Sequence, residues 1–283
     1  MKSSVFFLLL LLSSSGSRVA ASEKPLIEWF VTATPPMTIM DGQFKGQGYG
    51  DVIYQSLREK LTDHRHSWSV AKMGYSQGGI MHHDNVCAYD LLKTPKRAKY
   101  MVFSKPIYHI LPLGLITLEQ TDVSKLLDDR GYFVMPRLVQ HKEFTLGVVL
   151  SRSYGVMLDK QLQKLPKGKN VLVLSNDNTA TELFKLMTMQ RIDASLGFIM
   201  EAHYLFKAQV KQGQRHQIAY YPVANQPRLL IGRISCNRSE FGQQVIAAVN
   251  QRIDAADLSA ISRAYQRWLP DNTKVLYQQL IAP

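Results

Sequence analysis

The chain has 283 residues, 46% of them hydrophobic and 20% charged, and 34 lysines and arginines against 22 aspartates and glutamates give a formal charge of +12. Residues 5–12 form an unbroken apolar run too short to cross a bilayer, and no later stretch approaches the ~20 apolar residues of a membrane-spanning helix, so the mature chain is expected to be soluble. The basic balance would favour nucleic acid in the cytoplasm and anionic small molecules or membrane surfaces outside it; its simplest reading is a solvated basic surface, and charge alone identifies no ligand.

The first element is a secretion signal: Lys2, the apolar run from Val5 to Leu12, and Val19-Ala20-Ala21 as a small-residue cleavage site, with cleavage expected near Ala21. Losing Lys2 and Arg18 lowers the formal charge from +12 to +10, because residues 1–21 hold no acid. No cysteine lies near the cleavage point to be lipidated, so a freely diffusing periplasmic protein is expected, with an uncleaved anchor as the alternative. About 260 residues then remain, more than one core of roughly 100 to 150 residues holds, so two lobes are expected.

Leu26-Ile27-Glu28-Trp29-Phe30-Val31 reads as the first strand, stopped by Pro35-Pro36. Residues 50–61 carry Val52, Ile53, Leu57 and Leu61 at helical spacing, with Asp51 placed to cap the helix. Residues 86–92 and 111–118 are short apolar segments, the second broken by Pro112 and Gly114 and suited to a connection from one lobe to the next. Residues 144–150 form a buried-strand pattern running through Ser151 to Gly155 into a helix that ends near Leu165. Residues 171–174 are the next strand, 179–189 a helix with Leu183, Leu186 and Met187 on one side, and 191–196 a third strand; this alternation predicts a parallel, doubly wound α/β sheet. The last part holds Tyr220-Tyr221-Pro222, a strand over 229–234 and two helices, the second carrying Leu258, Ile261, Tyr265 and Trp268 before Pro270 ends it. No internal repeat appears.

Cys87 and Cys236 would both meet an oxidising compartment after export, where exposed thiols are a liability, and a disulfide between them is the favoured reading. It would close a long loop, with stabilisation of about 4 to 5 kcal/mol on the chain-entropy account. The alternative is two buried thiols that never meet.

Thr94-Pro95-Lys96-Arg97-Ala98-Lys99, followed by Phe103-Ser104-Lys105-Pro106-Ile107-Tyr108, resembles the TPERA…FS.PY signature of the family 3 extracellular solute-binding proteins. Further blocks resemble the family in order: Asp41-Gly42 with Gly46 to Val52, Gln190-Arg191-Ile192-Asp193-Ala194, and the terminal helix Ala264-Tyr265-Gln266-Arg267-Trp268-Leu269. The resemblance implies a type II periplasmic binding protein of two α/β lobes, each a doubly wound, mostly parallel sheet with flanking helices, residues 22–114 and 227–283 forming lobe 1 and 115–226 lobe 2. It places Cys87 and Cys236 both in lobe 1, where a bridge would not block hinge motion.

The same resemblance implies that Arg97 grips a carboxylate, a task its flat, permanently charged guanidinium suits. Lobe 1 would add Tyr75 as an aromatic wall, or as ordinary core, and the loop from Thr34 to Met37, including Pro36, as a rim. Lobe 2 would offer Ser151, Ser153 and Asn178 at strand-to-helix junctions, where free N–H groups favour an anion, although helix capping explains them equally. Two positions depart from the amino-acid-binding pattern. Leu92 stands where a serine or threonine is usual, and Phe198 where an aspartate holds the ligand's ammonium. An α-amino acid would thus leave its cation unpaired, so the expected ligand is a carboxylate-bearing solute with an apolar or aromatic body contacting Phe198.

His82-His83-Asp84 has metal-ligand residue types without convergent geometry, so neither a metal nor a cofactor is expected. Ser151 and Ser153 lack the GxSxG setting of a nucleophile. The expected function is a monomeric, non-enzymatic periplasmic receptor feeding an ABC permease or a membrane sensor, with no nucleic-acid partner. The alternative is a dehydratase-like enzyme on the same scaffold, using Glu182, Glu201 or His203 as acid or base. A third reading, a module docking on an envelope partner through its basic face, explains none of the motifs.

Overall fold

The structure is a computed structural model, and it describes residues 23–70, 80–150, 154–164, 170–175, 179–209 and 217–282. The proposed signal sequence, Tyr75, Ser151, Ser153 and Asn178 lie outside the described residues. Among the described residues no helix is long and apolar enough to cross a membrane.

The described residues form two five-stranded sheets joined by a two-stranded ribbon. The first sheet begins with β1 (Leu26–Val31), whose Ile27, Trp29 and Val31 alternate onto one buried face. Parallel to it run β2 (Arg65–Val70) and β3 (Val86–Ala88), with Trp29 opposite both Trp68 and Cys87. β4 (Met101–Phe103) completes this side of the chain. Helix α1 (Tyr49–Lys60) links β1 to β2 and buries Ile53 and Leu57, and Asp51 caps it as the sequence predicts, its Oδ2 accepting the Gly48 N–H at 2.8 Å. β2 carries no apolar period because it is an edge strand, mostly exposed.

The chain then passes through β5 (Tyr108–Ile110) into β6 (Gly114–Leu118), and the second sheet adds β7 (Leu146–Val149), β8 (Val171–Leu174), β9 (Ala194–Gly197) and β10 (Ile218–Pro222) in the order β10-β6-β9-β7-β8. Helices α2 (Val156–Lys164), α3 (Thr179–Thr188) and α4 (Ile199–Gln209) connect its strands. Return is through β11 (Leu230–Gly232), antiparallel to β5, into β12 (Ser235–Asn237). Each sheet therefore contains one reversed strand, and in each it is the strand delivered by a crossing. β6 runs antiparallel between β10 and β9, and β12 runs antiparallel between β3 and β4. Alternation of strands and helices predicts parallel pairing and cannot show a strand that arrives from the opposite direction.

The crossing is tied on both sides. Tyr265 Oη accepts the Leu111 N–H at 2.9 Å, Tyr220 Oη donates to the Pro112 carbonyl at 2.9 Å, and Tyr277 Oη donates to the His109 carbonyl at 3.0 Å. The Tyr108 ring fills the space a side chain at Gly232 would need, so glycine is required there. Helices α5 (Glu240–Arg252), α6 (Ala255–Gln266) and α7 (Asp271–Ile281) follow β12. α4 and α7 are absent from the sequence reading. Pro270, read as a stop, is also the N-cap of α7, whose Thr273, Leu276, Tyr277 and Leu280 recur at helical spacing.

Cys87 and Cys236 are directly opposite one another in the β3–β12 pair, fully buried and bridged across 149 residues of sequence. The expected disulfide is present, and it stitches the returning strand to the first sheet. α4 packs its other side on the C-terminal region: the Trp268 ring lies 5.6 Å from Tyr204 and 5.3 Å from Phe44, and Lys207 Nζ donates to the Arg267 carbonyl at 2.8 Å. His203 stacks on Phe206 in this contact, and burial, reinforced by the Lys207 charge, lowers its pKa to about 4.

Replacing both cysteines by alanine should lower the free energy of unfolding by about 4 kcal/mol, read as a lower urea midpoint. His203 remains neutral in the folded chain but titrates near 6.5 once unfolded. Its contribution is therefore complete above about pH 6.5 and is lost as pH falls towards 4, by about 2 to 3 kcal/mol. Urea titrations of wild type and His203→Leu across this window should show the variant with the flatter dependence.

Candidate functional site

A cavity of about 890 Å³ opens between the two sheets' lobes, walled on one side by the segment after β1, the segment after β3 and Arg97, and on the other by the first turns of α3 and α4. The segment after β1 is fixed by the start of α1. Two of its unpaired N–H groups, on Tyr49 and Gly50, donate to the Pro36 and Met37 carbonyls at 3.2 and 2.8 Å. A Cβ on Gly50 would lie 2.7 Å from the Met37 carbonyl oxygen, so glycine there permits the approach. Pro36 and Met37 thus reach the cavity as a rim held by a helix terminus.

Arg97 opens a 3₁₀ turn (Arg97–Lys99) before β4, with its N–H on Thr94 Oγ1 at 3.2 Å. Its side chain is half-buried, and Nη1 donates to the Leu92 carbonyl at 2.6 Å. One edge of the guanidinium is therefore anchored to its own loop, and the remaining donors of the fork are available to a planar anion. Burial lowers the pKa of this guanidinium, while Tyr100 and Asp90 act in the opposite sense.

Phe198 follows β9 and precedes α4, on the cavity wall. Of the residues singled out from the sequence, the structure brings Arg97, Pro36 and Phe198 to one cavity. Glu201, one helical turn after Phe198, lines it too, but Glu182 does not line it and His203 does not either, because residues two apart on a helix project from different sides. His82, His83 and Asp84 are exposed, and among the described residues no group of three histidine, cysteine, aspartate or glutamate side chains is arranged to hold a metal.

The residue that sequence reasoning missed is Asp90, on the segment after β3. Its Oδ2 accepts both the Thr32 N–H and the Thr32 hydroxyl at 2.7 Å, while Oδ1 is buried with no hydrogen-bond partner. Burial raises its pKa, against the lowering effect of the Thr32 hydrogen bonds. A signal existed: Asp90 is the only acid between Asp84 and Glu119 and stands seven residues before Arg97. Tyr49 and Tyr108, rings 5.9 Å apart, also contribute to the cavity wall, and burial keeps both phenols protonated by raising their pKa values.

No protein-family model matches the chain, and no curated protein matches it in sequence. Solved structures do match it. The probable amino-acid ABC transporter extracellular-binding protein ytmK of Bacillus subtilis aligns at TM-score 0.62 and 16% identity, covering 88% of this chain and 100% of that one. The periplasmic VFT2 domain of Bordetella pertussis BvgS aligns at TM-score 0.57 and 16% identity over 87% of this chain and 94% of that one. A putative L-cystine ABC transporter from Listeria monocytogenes aligns at 0.56 and 13% over 88% and 97%. At these identities the likeness is one of fold. Two lobes on mixed sheets, joined by a double crossing with a cavity between them, make this chain a protein of the type II periplasmic binding protein, or Venus flytrap, fold.

Proposed function

We propose that this protein is a divergent member of the family 3 extracellular solute-binding proteins, and that it captures a small carboxylate-bearing solute between its lobes and presents it to an ABC permease or a membrane sensor. The observation that carries the reading is a half-buried guanidinium, braced by the Leu92 carbonyl, at the wall of an inter-lobe cavity large enough for a small metabolite. In this reading residues 22–114 and 227–283 act as one lobe and 115–226 as the other, with Ser151, Ser153 and Asn178 as candidate contacts from the second lobe and Tyr75 as a candidate aromatic contact from the first. The reading takes the signal-like start as an address to the periplasm, and takes the receptor to act as a monomer.

The solved structures of the same fold support it, since two are described as binding proteins of amino-acid ABC transporters. Closure follows from differential affinity: a solute that touches both walls favours the closed state by the free energy of the interactions it makes only there. We read the chain as a receptor and not an enzyme because, of the three acid or base candidates, Glu201 alone lines the cavity. The bound solute should leave with its mass unchanged.

A saturating solute, at about 100 times its Kd, should stabilise the protein by about 2.7 kcal/mol, a rise of roughly 5 to 10 °C in Tm. Arg97→Ala should weaken the captured carboxylate by about 2 to 4 kcal/mol, roughly 30- to 1000-fold in Kd by calorimetry. Arg97→Lys, which keeps the charge and loses the fork, should fall between the two.

A further inference from the structure

Among the described residues the acids of the cavity wall outnumber its cations. The chain carries a formal +12, yet the charged side chains lining the cavity among the described residues are Asp41, Asp90, Glu201 and a single cation, Arg97. A site built for a purely anionic solute would surround it with cations or N–H donors, and each carboxylate beside it would oppose binding.

Asp90 is the informative member. Thr32 supplies two hydrogen bonds to Oδ2, and donors of this kind favour the ionised form and fix the orientation of the carboxylate. A carboxylate offers about four acceptor sites, and Oδ2 uses two of them, whereas Oδ1 is buried and makes no hydrogen bond among the described residues. Arg97 lies close enough to act on Asp90 electrostatically but directs Nη1 to the Leu92 carbonyl. A buried, partly satisfied carboxylate beside a braced guanidinium, both on one wall, is a pair of opposite charges held apart.

We infer that Asp90 is a specificity-determining residue, selecting a solute that carries a protonated nitrogen as well as its carboxylate, with both charges recognised by the lobe that holds Arg97. The inference rests on the receptor reading of this cavity. It reverses one expectation from the sequence: Phe198 removes an acid from the facing lobe, but the counter-charge for a cation is present on the Arg97 side. Phe198, Met200 and Leu205 then cover the apolar part of the solute from the second lobe.

The test is calorimetric titration of the full exported chain with four probes of similar size: 3-phenylpropionate, phenylalanine, 3-amino-3-phenylpropionate and phenethylamine. At least one of the two aminocarboxylates should bind about 30-fold or more tightly than 3-phenylpropionate, and Asp90→Asn should shrink that ratio towards one. Retained binding of 3-phenylpropionate by the variant shows that it folds; if it does not fold, the order of the four probes on wild type decides. Binding of 3-phenylpropionate as tight as that of both aminocarboxylates, lost in Arg97→Ala, overturns the inference and leaves the receptor reading standing. An undiminished ratio in folded Asp90→Asn also overturns it alone. Failure of all four probes to bind wild type sinks both together.

Discussion

The antiparallel ribbon of Tyr108–Ile110 with Leu230–Gly232 is the constraint on which the remaining architecture depends. It is where the chain leaves the first sheet and where it returns, and its tight pairing, Tyr108 over Gly232, brings the two passages together. From that point the reversed direction of β6 and β12 in their sheets follows, because each strand enters its sheet from the crossing. The cavity follows as well. The ends of β1 and β3 on one side and of β9 on the other face the same gap only if the ribbon holds the sheets side by side. Tyr108 connects the two, since its hydroxyl bonds to the Tyr89 carbonyl beside Asp90 and its ring lies against Tyr49.

Two effects compete within the cavity, desolvation of charged groups and their stabilisation by fixed dipoles. Arg97 and Asp90 both lose water, which pushes each towards its neutral form. Both are met by hydrogen bonds from their own segment or its neighbour, the Leu92 carbonyl for one and Thr32 for the other, and so neither depends on the opposite charge for orientation. This is preorganisation: the side chains are set before any solute arrives, which reduces the entropy lost on binding.

Much of this fold is legible in the sequence where local chemistry and global position agree. β1 alternates cleanly, α1 has both its apolar stripe and its Asp51 cap, and Thr94 to Tyr108 carries a motif that locates Arg97. What stays hidden depends on tertiary position. β2 and β4 are respectively an exposed edge strand and three residues long, and neither carries a period of its own. α4 is apolar on more than one side because it packs on its own sheet and on Trp268, which blurs the stripe. Asp90 is inconspicuous because it sits in an apolar stretch that reads as plain strand. Its importance comes from Thr32, 58 residues earlier, and no spacing rule connects them.

The bridge between Cys87 and Cys236 also has a consequence for biogenesis. A chain is made from its N-terminus, so the first thiol waits while the following 149 residues are synthesised. The described strands β6 to β10 form one sheet from one contiguous stretch, and can assemble in that interval, whereas the N-terminal sheet lacks one of its members until β12 has appeared. The half of the molecule made first is therefore the half finished last, and oxidation of the cysteine pair marks completion of the whole.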